Sequence, residues 1–137
     1  MVLIDTSAWI EWLTDSPLAA DIAPHLQRLD DVLVPTIVQY ELYKWAARER
    51  DDAAALELVG LTGQGRVQPL DSRLAVSAAE ASAQFRLPMA DAIVYACARE
   101  LSVPLVTCDA RFETLAGVEY LQKQAPGSRR SPEGSNP

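Results

Sequence analysis

The stretch MVLIDTSAWI, residues 1–10, opens with four apolar residues and then places an aspartate, Asp5, directly after them. A short apolar run at the start of a domain reads as a strand buried on both faces, the pattern of parallel sheets. Working outward, VLVP (32–35), VQPL (67–70) and LVTC (105–108) repeat that character, and VEYL (118–121) is a fifth candidate. Helical stretches separate these runs. In PTIVQYELYKWAARER, Thr36 is followed at the third position by Gln39, which predicts a capping box. DSRLAVSAAEASAQFR carries apolar residues at helical spacing, and MADAIVYACAREL ends before Val103-Pro104. Strands alternating with helices imply crossover units. The expected fold is α/β: one domain with a mostly parallel central sheet of four to five strands and helices on both faces.

The bulk properties narrow the chemistry. A length of 137 residues, 49% apolar and 23% charged, suits one globular domain with a sizeable core. No apolar run approaches the ~18 residues of a membrane span. No basic leader precedes the first strand, so a cytoplasmic location is expected. Cys97 and Cys108 form no C-x-x-C pair and suit reduced thiols. His25 is the only histidine, which removes paired-histidine acid–base catalysis and a His/Cys zinc site. The net charge of −7 argues against a coat protein for nucleic acid. Setting four acids aside for a metal site leaves 15 acids against 12 bases, near balance. From Ala125 onward, APGSRRSPEGSNP has no apolar pattern, so a domain over 1–124 and a flexible tail over 125–137 are expected.

Four acids stand out by position. Asp5 and Asp109 directly follow apolar runs, Asp91 lies near the start of MADAIVYACA, and Glu41 sits in the helix after VLVP. Ligands of open α/β sheets bind beyond the carboxyl ends of the strands. Each acid also has an ordinary explanation: the aspartates suit helix N-caps, and Glu41 has Lys44 three residues on. Asp71, which follows VQPL, is read as such a cap. Brought together, two like charges 5 Å apart repel by roughly 3 kcal/mol at an effective dielectric of 20, so four acids reach about 20 kcal/mol. Protonation or cations must relieve this, and a cluster of carboxylates without sulfur or imidazole favours Mg²⁺ or Mn²⁺.

Asp5-Thr6-Ser7 after the first strand, Glu41, Asp91 in L-P-M-A-D-A and Thr107-Cys108-Asp109 together resemble the PIN-domain family. The small size and the D-T-S-A-W opening look most like its VapC-type toxins of prokaryotic toxin–antitoxin pairs. The resemblance covers roughly residues 1–121. It implies an endoribonuclease dependent on Mg²⁺ or Mn²⁺, with Asp5, Glu41, Asp91 and Asp109 as catalytic metal ligands, leaving a 5′-phosphate and a 3′-hydroxyl. Ser7 and Thr107 match hydroxyl positions bordering the site and are expected to hold its ligands by hydrogen bonds. Many relatives carry another acid two residues after the last aspartate, where this chain has Arg111. The resemblance also implies an RNA substrate, a second copy of the chain and an antitoxin whose C-terminal segment blocks the site.

Lys44, Arg48 and Arg111 are candidate RNA-phosphate contacts, with Arg86 and Arg99 as further ones. Trp9, Ile10, Trp12 and Leu13 suit either core packing or a groove for a partner helix. Two other aspartate-bearing folds fit poorly. A dehalogenase-type phosphatase needs an acid where Ser7 stands, and a receiver domain needs a lysine that Lys44 and Lys123 do not supply. GLTGQG (60–65) matches neither nucleotide-binding glycine pattern and is read as a loop between a helix and a strand. The alternative from another class is a non-catalytic interaction module that keeps the fold.

Overall fold

A computed structural model describes residues 1–123, and the expected tail over 125–137 lies outside the described residues. Five short strands form one sheet: β1 (Val2–Ile4), β2 (Val32–Pro35), β3 (Arg66–Gln68), β4 (Leu105–Thr107) and β5 (Val118–Tyr120). Every residue of β1, β2 and β4 is buried. Because successive side chains of a strand point to opposite faces, burial at every position means that both faces of the sheet are covered. The third strand starts at Arg66 and is over by Gln68, earlier than the VQPL run suggested. Pro69 has no N–H to continue a ladder, and Leu70 is exposed.

The strand order is β3-β2-β1-β4-β5, and every pairing is parallel. The chain winds outward from β1 through β2 to β3, then returns to the other side of β1 for β4 and β5. Winding therefore reverses between β1 and β4, and the loops leaving their carboxyl ends part there to open a crevice. Neither edge strand has a buried residue. Their shortness and the charges of Arg66 and Glu119 discourage pairing with other chains.

Among the described residues six α-helices flank the sheet: α1 (Thr6–Leu13), α2 (Ala19–Ile22), α3 (Thr36–Glu49), α4 (Asp52–Thr62), α5 (Ser72–Phe85) and α6 (Met89–Glu100). Helices α3 and α5 bury one stripe each, Val38, Leu42 and Ala46 in the first and Leu74, Ala78 and Ala81 in the second. Helix α6 is different, with Ala92 through Ala98 all buried, so it is enclosed on every side. That enclosure holds Asp91, in the helix's first turn, in a fixed place.

Two expectations change here, and a third question left open is answered. The capping box at Thr36 does not form: Pro35 takes the N-cap position and Thr36 is already helical. Gln39 Nε2 instead donates to Thr62 Oγ1 at 3.2 Å, joining α3 to α4. Helix α4 continues through Gly60, Leu61 and Thr62, so only Gly63–Gly65 remains as a loop. A Cβ on Gly65 would stand 2.7 Å from the Val32 carbonyl oxygen, so only glycine lets this turn run against β2. The Trp9 segment is core. Trp9 is fully buried, and Ile10, Trp12 and Leu13 pack against the core beside it.

Among the described residues, no helix is long and apolar enough to cross a membrane. Cys97 and Cys108 are free and buried, and burial pushes each thiol up to about 11, which keeps both unreactive.

Candidate active site at the β1–β4 crevice

Asp5 is set by the sheet. Its N–H donates to the Val106 carbonyl at 2.9 Å, which extends the β1–β4 ladder by one residue and brings its side chain beside Thr107. Asp5 is 5% exposed, yet its carboxylate is well supplied with donors. Oδ1 accepts the Thr6 N–H at 2.8 Å, capping α1, while Oδ2 accepts the hydroxyls of Ser7 at 2.9 Å and Thr107 at 2.8 Å. Burial raises the carboxyl above the usual range, the bonds from Thr107, Ser7 and Thr6 oppose the rise, and the charge of Glu41 adds to it. Ser7 and Thr107 are themselves held. The Cys108 N–H donates to Ser7 Oγ at 3.0 Å and the Asp109 N–H to Thr107 Oγ1 at 3.0 Å.

Glu41 reaches the crevice from α3. Its Oε1 accepts the Thr6 hydroxyl at 2.6 Å, across 35 residues of chain. Thr6 thus bonds both acids, Asp5 through its backbone and Glu41 through its side chain. Sequence reading assigned Thr6 no role, although its place directly behind Asp5 was the available signal. The ordinary alternative for Glu41 does not apply: among the described residues it makes no ion pair with Lys44, whose ammonium lies 5.3 Å from the Tyr40 ring centroid.

Asp91 and Asp109 form the other side. Asp91 lies in the first turn of α6, where the helix dipole favours an anion, but Pro88 holds the N-cap position. Its carboxyl is pushed up to about 6, first by burial, then by the charges of Asp109 and Asp5, with Arg111 opposing and Glu41 adding. Asp109 caps a 3-10 turn, Ala110–Phe112, by accepting the Arg111 N–H at 2.9 Å. The Arg111 guanidinium turns back over the pair, with Nη1 3.3 Å from Asp109 Oδ2 and 3.7 Å from Asp91 Oδ2. Acids 5, 41, 91 and 109 therefore border one crevice, with Asp91 near enough for the charges of the other three to act on it.

The PIN domain family matches residues 2–118. This chain belongs to the PIN-domain family. No curated protein matches its sequence. Solved structures with the same fold include a toxin–antitoxin complex from Klebsiella pneumoniae, 17% identical over 87% of this chain and 96% of that one, with a TM-score of 0.75. VapC20 from Mycobacterium tuberculosis, a toxin that cleaves the sarcin–ricin loop, is 19% identical over 86% and 97% at a TM-score of 0.70. FitAcB from Neisseria gonorrhoeae is 22% identical over 86% and 96% at 0.66.

In this PIN domain the four carboxylates are hard oxygen donors, a set that suits Mg²⁺ or Mn²⁺. As the side chains stand, however, no three His, Cys, Asp or Glu residues among the described ones are grouped closely enough to hold a metal ion. Hydroxyl and N–H donors engage Asp5 and Glu41, and Arg111 engages Asp91 and Asp109. These donors offset part of the repulsion expected of the four acids, and Asp5 and Asp91 still keep raised proton affinities.

The other singled-out residues separate by position. Asp71 is a cap, its Oδ1 accepting the Leu74 N–H at 2.9 Å. Lys44 and Arg48 lie on the exposed side of α3, with Arg48 paired to Glu49 at 3.3 Å. Arg86 ends α5 in a left-handed conformation, near the start of α6. Arg99 is removed from the crevice. It lies eight residues beyond Asp91, about 12 Å along α6, and its guanidinium is packed at Gly117, before β5 begins.

Proposed function

We propose that this PIN domain is a metal-dependent endoribonuclease that acts as the toxin of a toxin–antitoxin pair. One observation carries the reading: carboxylates remote in sequence, from two strand ends and two helices, border one crevice, where burial and then the charges of Asp109, Asp5 and Glu41 raise the proton affinity of Asp91. A structural role explains a single cap, but not four acids gathered against their own repulsion. Asp5, Glu41, Asp91 and Asp109 would hold Mg²⁺ or Mn²⁺. Such an ion supplies hydroxide near neutral pH and offsets charge on the phosphoryl group undergoing attack. Ser7 and Thr107 fix the Asp5 carboxylate, Thr6 orients Glu41, and Lys44, Arg48 and Arg111 contact RNA phosphates. Low positive charge suits structured or guided RNA over indiscriminate binding.

The toxin assignment rests on likeness to structures described as toxin–antitoxin complexes. It entails an antitoxin partner, a cationic group of which would fit among the carboxylates, and a second copy of the chain. The site as it stands, closed by Arg111 and hydroxyls, is the observation favouring a non-catalytic interaction module instead. Incubating total RNA with the protein, its Asp5→Asn variant and a chelator separates the two. The nuclease reading predicts cleavage, with 5′-phosphate ends, that both changes abolish. Absence of cleavage of any cellular RNA, or cleavage that survives Asp5→Asn, removes it.

A further inference from the structure

The acids of the crevice are neutralised in two different ways. Asp5 and Glu41 are satisfied by neutral donors: the Thr6 N–H, and the hydroxyls of Thr6, Ser7 and Thr107. Asp91 and Asp109 are bridged instead by a single cationic nitrogen, Arg111 Nη1, at 3.7 and 3.3 Å. The backbone of Arg111 is fixed, because its N–H caps onto Asp109 Oδ1 and Phe112 beside it is fully buried. Its side chain is 61% exposed. The arrangement is a tethered cation: an anchored base, a free arm, and a head set between two carboxylates that are only 18% and 23% exposed.

From this geometry we infer that Arg111 is a built-in counter-ion that occupies the cation position between Asp91 and Asp109 and must swing away for a divalent ion to bind there. The inference rests on the metal-dependent reading above and adds to it a competition within the chain. A guanidinium cannot share that position, since both its charge and its volume oppose a second cation between the same oxygens. The exchange is nonetheless an easy one. An exposed ion pair of this kind is weak and its arm is already largely in water. Once displaced, the guanidinium stays within a side chain's length of the crevice, where a phosphate is the natural alternative partner. Arg111 thereby acquires a physical role: a tethered positive charge that sets a threshold for metal occupancy.

The test is calorimetric titration of Mn²⁺ into the full chain, its Arg111→Gln variant and, as a control for net charge, Arg73→Gln. Arg73 pairs with Glu100, outside the quartet. Glutamine keeps much of the side chain and removes the charge, and at so exposed a position it leaves the fold intact, which a thermal melt verifies. Arg111→Gln should bind Mn²⁺ about three- to tenfold more tightly, whereas Arg73→Gln should match the parent. Equal affinity in the parent and Arg111→Gln, or equal tightening in both variants, overturns the counter-ion role while leaving the metal site standing. If neither the parent nor Arg111→Gln binds Mn²⁺, or if Asp5→Asn binds as well as the parent, the metal-dependent reading fails and takes this inference with it.

Discussion

Asp91 offers a quantitative test of the idea that the crevice is held together against its own charge. Its carboxyl titrates at about 6 in the folded protein, against 3.8 ordinarily. The native state therefore binds the proton more tightly than the unfolded chain does. Between about pH 4 and 6 the native state carries more bound protons, so stability falls as pH rises through that window. Above about pH 6 the full penalty of the ionised carboxylate is present, and below about pH 4 it is gone. A difference of about two pH units corresponds to about 3 kcal/mol, which solvent screening at a partly open site reduces to about 1–2 kcal/mol. Asp91→Asn keeps the shape and removes the charge. In a metal-free buffer at pH 8 it should unfold roughly 4–8 °C above the parent, and the two should converge near pH 4. The burial of Asp5 acts with the same sign. The same variant should fail to cleave RNA, so stability rises as function is lost. Scanning calorimetry between pH 4 and 8 is the assay. A variant less stable than the parent at pH 8, or a difference that does not narrow on acidification, refutes the reasoning.

Further outcomes follow from single contacts. Asp71→Ala should lose a helix cap worth about 1 kcal/mol and retain full RNA cleavage, whereas Asp5→Asn abolishes it; parallel urea melts and cleavage assays check both. Thr107→Val strips a donor from buried Asp5 and an acceptor from the Asp109 N–H. It should lower stability by about 2–4 kcal/mol, with Thr107→Ser close to the parent, read from urea midpoints. Gly117→Ala places a side chain at φ +79, where its Cβ would meet the Arg99 guanidinium at 2.5 Å. A loss of about 1–2 kcal/mol is expected from the left-handed backbone, measured by urea midpoint, with cleavage retained because that turn is remote from the crevice.

Much of this molecule was legible in its linear order. Buried parallel strands need unbroken apolar runs because both faces are covered, so β1, β2 and β4 announce themselves in VLI, VLVP and LVT. An aspartate directly after such a run stands near a strand's carboxyl end, which put Asp5 and Asp109 forward as candidates before any folding was considered. Exposed strands carry no such signature. The third strand, with two of its three residues in water, was consequently misjudged at both ends. What tertiary structure alone decided is the partnership of each acid. Thr6 reaches Glu41 across 35 positions, Thr107 reaches Asp5 across 102, and Arg111 bridges Asp91 and Asp109 only because α6 and the turn after β4 are packed side by side. Local patterns record which face of an element is wet or dry. They do not record which donor a buried charge will find, because that depends on how separate elements pack in three dimensions.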